Sequence, residues 1–132
     1  MPHNTFQYQT VLLIDDDEDD QEIFRTALSR VSREIACTAM NDAAMALAKL
    51  KTTELNPEVI FLDLNMPRMS GLQFLVELKK TDSLKHLPVV IFSTSSHPPT
   101  IALSKELGAM QFMTKPNQYE DLIQLLKTFF TT

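Results

Sequence analysis

The amino-acid sequence predicts an α/β protein with a doubly wound five-stranded parallel sheet, and three observations support this fold class. Short apolar runs that suit buried strands alternate with segments whose apolar residues recur every three or four positions, as in amphipathic helices. The predicted strands are mostly apolar and do not alternate apolar with polar residues, which is typical of a parallel sheet covered on both faces. With 132 residues, 44% of them hydrophobic and 22% charged, the chain can bury an ordinary core. We expect one domain over 1–132, with its core at about 10–130 and no output domain.

The chain begins with a predicted strand, helix and second strand. Residues 10–14 (TVLLI) form an apolar run that is too short for a helix and ends abruptly in acid. Over 19–31 apolar residues recur at spacings of three and four, and acidic residues occupy the positive end of this predicted helix. Residues 35–40 predict the second strand.

The middle of the chain predicts two helices around a third strand. The Ala-rich run 43–51 predicts a helix that Asn41 or Asp42 can cap. Residues 59–62 (VIFL) form another fully apolar run and predict the third strand. Over 72–80 the apolar residues fall on one helical face, which predicts the third helix.

The last part of the chain predicts two more pairs of strand and helix. The apolar run 89–92 predicts the fourth strand and ends in a cluster of hydroxyl residues. A helix is predicted over about 100–107, where Gly108 suits its C-terminal end. Residues 111–115 predict a short fifth strand, and the apolar spacing over 119–130 predicts the fifth helix.

The glycine content and the net charge exclude several functions. Gly71 and Gly108 are the two glycines and lie far apart, so the chain contains neither a dinucleotide-binding G-x-G-x-x-G turn nor a G-x-x-x-x-G-K phosphate loop. A net charge of -5 repels nucleic-acid phosphates and anionic membranes, and we expect neither as a partner. Any phosphate chemistry must therefore use side chains.

The N-terminus and the sulfur content indicate the compartment. Residues 1–9 are polar and the apolar runs are short, so neither a signal peptide nor a membrane-spanning helix is predicted. The single Cys37 excludes an internal disulfide, and the three histidines have no zinc-like spacing (His3, His86, His97). We expect a cytoplasmic protein.

Polar side chains follow four of the five predicted strands. The first strand ends in Asp15, Asp16 and Asp17, the third in Asp63, the fourth in Ser93 and Thr94, and the fifth in Lys115. Each group alone has an ordinary structural explanation, as a helix cap, a turn former or a solvated loop residue. Together they would meet at the sheet edge where ligands bind in such folds, and carboxylates brought together there repel one another unless a cation lies among them.

An all-oxygen cluster of this kind suits Mg2+ (or Mn2+) better than zinc, and the usual companion of that metal is phosphate. Asp63 could then attack phosphorus and form an acyl phosphate. Lys115 could place a positive charge on one phosphoryl oxygen, and the Ser93 hydroxyl could donate to another.

These residues resemble the motifs of response-regulator receiver domains over nearly the whole chain. The family has an acidic pair after strand one, an acceptor Asp followed by x-x-M-P-x-M-x-G-L, a Ser or Thr at the end of strand four, and K-P after strand five. The corresponding residues here are Asp15 and Asp16, the segment DLNMPRMSGL that starts at Asp63, Ser93, and Lys115 with its following proline. The resemblance implies a flavodoxin-like (βα)5 fold with strand order 2-1-3-4-5.

The resemblance also implies roles for individual residues. Asp63 would be phosphorylated, Asp16 would bind the metal directly, Asp15 would hold it through water, and Asn65 would contribute its backbone carbonyl. Asp17 falls one place beyond the acidic pair, and we expect it to shape the local potential more than to bind the metal.

The resemblance further implies that the Ser93 hydroxyl moves toward the phosphoryl group with which Lys115 pairs, and that the peptide bond between Lys115 and Pro116 is cis. Phe112 stands at the aromatic switch position, where Tyr is commoner. Without a hydroxyl we expect its ring to turn inward even before phosphorylation. With two consecutive prolines at 98–99 restricting the loop, we expect a modest switch confined to 93–107.

The implied function is that of a single-domain response regulator in a two-component phosphorelay, with no organic cofactor. Its partners would be a sensor histidine kinase or histidine phosphotransfer protein, and a downstream target that reads helix four, strand five and helix five. The chain would be a monomer or a weak homodimer through that same face. It would catalyse only its own phosphorylation and dephosphorylation, and so would not be a turnover enzyme.

Three alternatives are weaker. A phosphatase of the haloacid dehalogenase type needs a second Asp two residues after its nucleophile, and Asn65 at that position cannot donate a catalytic proton. A receiver-like interaction module that is never phosphorylated commonly lacks an acid or the Lys, and none is missing here. A flavodoxin-like cofactor domain needs a Ser/Thr/Gly phosphate loop after strand one, where this chain is acidic.

Overall fold

Five strands alternate with five helices in the computed structural model, which describes residues 6–131. His3 and much of the polar stretch 1–9 therefore lie outside the described residues. The strands are β1 (Thr10–Ile14), β2 (Ala36–Met40), β3 (Val59–Leu62), β4 (Val89–Ser93) and β5 (Gln111–Thr114). The helices are α1 (Glu18–Val31), α2 (Ala43–Lys51), α3 (Gly71–Lys80), α4 (Pro98–Glu106) and α5 (Tyr119–Phe130). Within this described part of the chain, no helix combines the length and the apolar character needed to cross a membrane.

The strands form one parallel sheet in the order β2-β1-β3-β4-β5, which confirms the predicted fold class and strand order. In the register, Ile14 at the end of β1 lies opposite Leu62 at the end of β3. Leu62 in turn lies opposite Ile91 of β4, and Ile91 lies opposite Phe112 of β5. The carboxyl ends of these four neighbouring strands therefore meet at one edge of the sheet.

The helices α2 and α3 cover one face of the sheet, α1 and α5 cover the other, and α4 lies beside β5. Alternate β1 residues point to opposite faces, so Leu12 packs with the buried residues of α2 and α3 while Leu13 packs with those of α1 and α5. β3 is buried along its whole length, as expected for a central strand of a parallel sheet. The edge strand β2 is only partly covered.

A cluster of phenylalanine rings anchors β3 from the α1 and α5 side. The Phe61 ring centroid lies 5.2 Å from those of Phe24 and Phe129, 5.8 Å from that of Phe130 and 5.9 Å from that of Phe92. Buried aromatic pairs at such distances stabilise a core beyond their area of contact. The strand that leads directly to Asp63 is therefore fixed by aromatic packing on this face.

The structure shifts the predicted start of the fourth helix. α4 begins at Pro98 and not at about Thr100, because proline needs no amide partner in the first helical turn and its fixed φ suits that position. The helix ends one residue before the expected end, and Gly108 follows it with a φ of 104°, as expected for a glycine after a helix C-terminus.

Gly71 begins α3 one residue earlier than predicted and packs directly against the backbone beside Asp63. Its amide donates to the Leu64 carbonyl oxygen at 3.1 Å. A Cβ atom at this position would overlap the Asp63 carbonyl oxygen and lie 2.8 Å from the Leu64 Cα. A glycine is required here because the loop between β3 and α3 folds back onto the end of β3.

We expect the substitution Gly71→Ala to lower the free energy of unfolding by about 1–3 kcal/mol, because the overlap involves backbone that cannot move without displacing the end of β3. Urea unfolding measures the loss, and the amide resonances of Asp63 and Leu64 should shift. Gly108→Ala is the control. It is strained by its positive φ and should also destabilise the fold, but it should leave those two resonances in place. A Gly71→Ala protein with unchanged stability and unchanged Asp63 resonance would contradict this account.

Candidate functional site

The polar residues predicted to meet do lie together at the carboxyl edge of the sheet. Asp15, Asp63 and Ser93 are buried there, at 1%, 8% and 0% exposure. The backbone extends the ladder past the strand ends, because the Asp63 amide donates to the Ile14 carbonyl at 2.9 Å and the Lys115 amide donates to that of Ser93 at 2.8 Å. These bonds fix where each side chain starts.

Three carboxylates converge at this edge. Oxygens of Asp15, Asp16 and Asp63 all lie within 4.8 Å of one another, with Asp16 exposed and the other two buried. A set of carboxylate oxygens open to solvent on one side matches the donors and the partial hydration that Mg2+ and Mn2+ accept. Asn65, the expected backbone ligand, lies two residues beyond Asp63 in the loop before α3. The donor set therefore fits a hard divalent cation.

Lys115 follows β5 and places its ammonium group among these acids. Its Nζ donates to Asp15 Oδ2 at 2.7 Å and to Asp20 Oδ2 at 3.0 Å, and it lies 3.9 Å from Asp63 Oδ2. The Nζ also lies 5.6 Å from the centre of the Phe92 ring. Burial alone would lower the pKa of Lys115, but the hydrogen bonds to Asp15 and Asp20 and the negative charges of the cluster raise it above its ordinary value. The ammonium group is therefore charged at neutral pH.

The pKa of Asp63 is shifted well above its ordinary value. Burial raises the pKa of Asp63 to about 6, and the charge of Asp15 adds to this effect. The charge of Lys115 and hydrogen bonds from the Leu64 and Asn65 amides oppose it. Near neutral pH the carboxylate is mostly ionised and retains appreciable proton affinity, a state suited to nucleophilic attack.

The acidic run at the start of α1 divides into separate structural roles. Asp17 is the N-cap of α1 and accepts from the Asp20 amide at 3.1 Å. Asp15 Oδ1 accepts from the Asp17 amide at 3.0 Å, and the Asp15 carbonyl accepts from the Gln21 side chain at 2.6 Å. The turn therefore brings Asp15 and Asp16 near Asp63, while Asp17, as the cap of α1, lies outside the three-carboxylate group.

Asp20 is the residue of this edge that sequence reasoning missed. It lies in the first turn of α1, and its side chain reaches Lys115 across the end of the sheet. The sequence contained one indication of this role, which is that Asp20 lies three residues after the cap Asp17. The first turn of α1 lies above the end of β1, so an acid there can face the site.

The two predicted switch residues lie on neighbouring strands. Ser93 ends β4 and is fully buried, and its hydroxyl accepts from the Ser95 amide at 3.3 Å. Phe112 lies opposite Ile91 on β5 and packs, partly buried, against the core on the α2 and α3 side.

The expected cis peptide bond between Lys115 and Pro116 is wrong, since every described peptide bond is trans. A peptide bond before proline prefers trans unless local packing selects otherwise. With the trans bond the Lys115 side chain already reaches Asp15 and Asp20, so no isomerisation is needed to aim it inward.

Comparison with known proteins gives a match over almost the whole chain. A family model described as the response regulator receiver domain matches residues 11–127. Response regulator Rcp1 of Synechocystis sp. is 31% identical over 126 residues, which cover 90% of this chain and 84% of that protein. Protein-glutamate methylesterase/protein-glutamine glutaminase 2 of Saccharophagus degradans is 40% identical over 116 residues, which cover 85% of this chain and 31% of that protein.

Solved structures show the same similarity. The crystal structure of the Mn2+-bound form of Rcp1 matches with a TM-score of 0.81 and 27% identity, covering 91% of this chain and 90% of that one. The crystal structure of the phosphorylated cyanobacterial phytochrome response regulator RcpA matches with a TM-score of 0.83 and 28% identity, covering 92% of this chain and 90% of that one.

The raised pKa of Asp63 predicts a pH-dependent penalty on stability in metal-free protein. The folded state binds the proton of the Asp63 carboxyl more tightly than the unfolded chain does. The contribution of Asp63 to the free energy of unfolding is therefore most favourable below pH 3.8 and is lost as the pH rises through about 6. Asp63→Asn, which cannot ionise, should therefore be more stable than the wild type by about 2–3 kcal/mol near pH 7.5, with the gain vanishing below pH 3.8.

Urea unfolding with a chelator present, repeated over this pH range, measures the effect. Asp82→Asn serves as the matched control, because Asp82 is 95% exposed and forms only a surface pair with Lys85. A gain for Asp63→Asn that is constant with pH, or that is equalled by the control, would contradict the predicted ionisation of Asp63.

Proposed function

Because this chain belongs to the response regulator receiver domain family, we propose that it accepts a phosphoryl group on Asp63 and signals by the resulting conformational change or by onward transfer. Receiver domains of two-component systems accept phosphoryl groups from histidine kinases or phosphotransfer proteins. The observation that carries the proposal is the convergence of the Asp15, Asp16 and Asp63 carboxylates with the Lys115 ammonium at one sheet edge.

The donor set supports Mg2+ or Mn2+ as the cofactor of this reaction. Asp16 and Asp63 would hold the ion directly, Asp15 would hold it through water, and Asn65 would contribute its backbone carbonyl. When bound, the ion would supply positive charge to the phosphoryl oxygens. The Mn2+-bound form of the related Rcp1 supports this assignment.

Three side chains would act on the phosphoryl group during its transfer. An ionised Asp63 oxygen forms the new bond to phosphorus while the bond from phosphorus to the donor's leaving group breaks. Lys115 donates an N–H to a phosphoryl oxygen and offsets its charge, since its Nζ lies 3.9 Å from Asp63 Oδ2. The Ser93 hydroxyl, one strand away, accepts from the Ser95 amide through its oxygen, so its O–H can donate to another phosphoryl oxygen. A phosphorylated relative, RcpA, supports the same chemistry.

The phosphorylated state would be read at α4, β5 and α5, either by a target protein or by a second copy of the chain in a weak homodimer. Leu103 of α4 and Met110 before β5 are large apolar residues exposed by 42% and 45% on this side. Movement of Ser93 toward the phosphoryl group would open space that the partly buried Phe112 ring can fill. The proposed role is signalling and not turnover, and the methylesterase relative is matched over only 31% of its length.

Incubation with acetyl phosphate and Mg2+ should add the mass of one phosphoryl group to the intact protein, and Asp63→Asn should abolish the addition. Asp63 is buried at the end of β3, and its Oδ2 lies 3.9 Å from the Lys115 Nζ, whereas Asp15 is already hydrogen-bonded to that ammonium group. Intact-mass spectrometry measures the adduct. Asp82→Asn, an exposed acid outside the site, should be modified like the wild type.

A chelator should suppress the same modification, because an anionic donor must otherwise approach three grouped carboxylates. An adduct that persists in Asp63→Asn would overturn the choice of acceptor. Undiminished modification in the presence of EDTA would overturn the metal requirement.

The switch should be modest and local, because Phe112 is already partly buried and Pro98 and Pro99 restrict the loop before α4. Amide hydrogen exchange on free and beryllofluoride-treated protein measures it, with beryllofluoride standing in for the phosphoryl group on Asp63. We expect the changes to be confined to 93–107. Large changes in α1 or α2 without a change in α4 would show that a different face carries the signal.

A further inference from the structure

Lys115 is held by a second carboxylate that lies outside the proposed metal-binding group. The Asp20 Oδ2 lies 3.0 Å from the Lys115 Nζ. The Asp20 side chain is 39% exposed, whereas that of Lys115 is only 11% exposed. A largely buried ammonium group is thus tied to the first turn of α1 as well as to the end of β1.

The contacts with Asp15 and Asp20 occupy two of the three N–H donors of the Lys115 ammonium group. An ammonium group has three N–H donors and no acceptor. Asp15 takes one at 2.7 Å and Asp20 takes another at 3.0 Å. One donor is left for the side on which Asp63 lies, with its Oδ2 3.9 Å away. Two fixed donors therefore leave the third free for a phosphoryl oxygen on Asp63.

Asp15 and Asp20 differ in what else they can do. Asp15 belongs to the group of three carboxylates suited to a cation, so its charge is shared once an ion is held there. Asp20 is not part of that group, and its contact with Lys115 is independent of the ion. The backbone of Asp20 is fixed in two ways. Its amide donates to the cap residue Asp17, and α1 is anchored in the core by the buried Phe24.

We propose that Asp20 is a positioning residue, which holds the Lys115 ammonium in place to receive a phosphoryl oxygen on Asp63. The inference rests on the proposed function of Asp63, but it assigns to Asp20 a task that the metal-binding acids cannot perform alone. Its loss should loosen Lys115 and slow phosphorylation without removing any group that contacts the reacting atoms.

The matched control is Asp19, which is exposed and lies in the same helical turn. Among the described residues it forms no ion pair within 4.0 Å. Asp19→Ala removes the same charge from almost the same place. If an acid acted only through its long-range electrostatic field, removing it should leave the rate of reaction with an anionic donor unchanged or raise it. Positioning predicts the opposite sign for Asp20→Ala and Asp20→Asn.

The first measurement needs neither metal nor phosphoryl donor. In metal-free protein labelled with 15N-lysine, the ammonium signal of Lys115 is assigned by its absence in Lys115→Arg, and the exchange rate of its protons with water is measured. We expect this rate to rise about three- to ten-fold in Asp20→Ala and Asp20→Asn, and to stay at the wild-type value in Asp19→Ala. If Asp20→Ala fails to fold, Asp20→Asn, which keeps the side-chain size, carries the test.

The second measurement is the rate of phosphorylation by acetyl phosphate with saturating Mg2+, followed by intact mass. We expect this rate to fall about three- to ten-fold in the Asp20 variants and not to fall in Asp19→Ala. Asp20 variants that match Asp19→Ala in either measurement would overturn the proposal. A wild-type protein that takes up no phosphoryl group would instead overturn the proposed function, and the lysine exchange data would still show separately whether Asp20 restrains Lys115.

Discussion

The arrangement at the sheet edge depends on one buried ammonium group placed among carboxylates that would otherwise repel one another. Asp15 and Asp63 are almost completely buried, and burying a carboxylate is costly unless an opposite charge pairs with it. Lys115 provides that charge through a 2.7 Å contact with Asp15 and a longer approach to Asp63. The compensation is unequal, and the pKa of Asp63 remains raised to about 6. The acid that stays least satisfied is therefore the one proposed to react, which is the state expected of a nucleophile awaiting a cation and a phosphoryl group.

The rest of the fold supplies the rigidity that this charge arrangement needs. In a parallel sheet all carboxyl ends face one edge, so four short strands deliver their terminal side chains to one place without a long binding loop. Phe61 sits two residues before Asp63 in a cluster of aromatic rings that leaves β3 little freedom. Gly71 lets the next loop fold directly against the Asp63 backbone, where any larger residue would collide with it. A displacement of the Asp63 backbone would alter several contacts with Lys115 and its neighbouring acids at once.

Much of the fold and of the candidate site could be predicted from the sequence because both depend on local patterns. Short, mostly apolar runs predicted the strands, and the abrupt change to polar residues after them predicted the edge where the site lies. Features that depend on three-dimensional contact were not accessible in this way. The α4 start at Pro98 depends on how the chain enters that helix, which apolar spacing does not show. The trans bond before Pro116 departs from what the family resemblance implied. The contact between Asp20 and Lys115 joins residues 95 positions apart, a separation that periodicity does not report.

The position of Lys115 also links the reacting carboxylate to the face proposed to signal. Its side chain is tied to Asp15 and Asp20, while its amide donates to the Ser93 carbonyl on β4. The same strand pair places Ser93 opposite Thr114, one residue before the lysine. A new dianion on Asp63 would draw on the Lys115 ammonium and the Ser93 hydroxyl together, because both lie at the ends of adjacent hydrogen-bonded strands. Since the ammonium is restrained from the α1 side, the component freer to move is the segment after β4 that leads into α4. The charge arrangement at this edge would therefore also direct the structural consequence of the proposed phosphorylation toward α4 and away from α1.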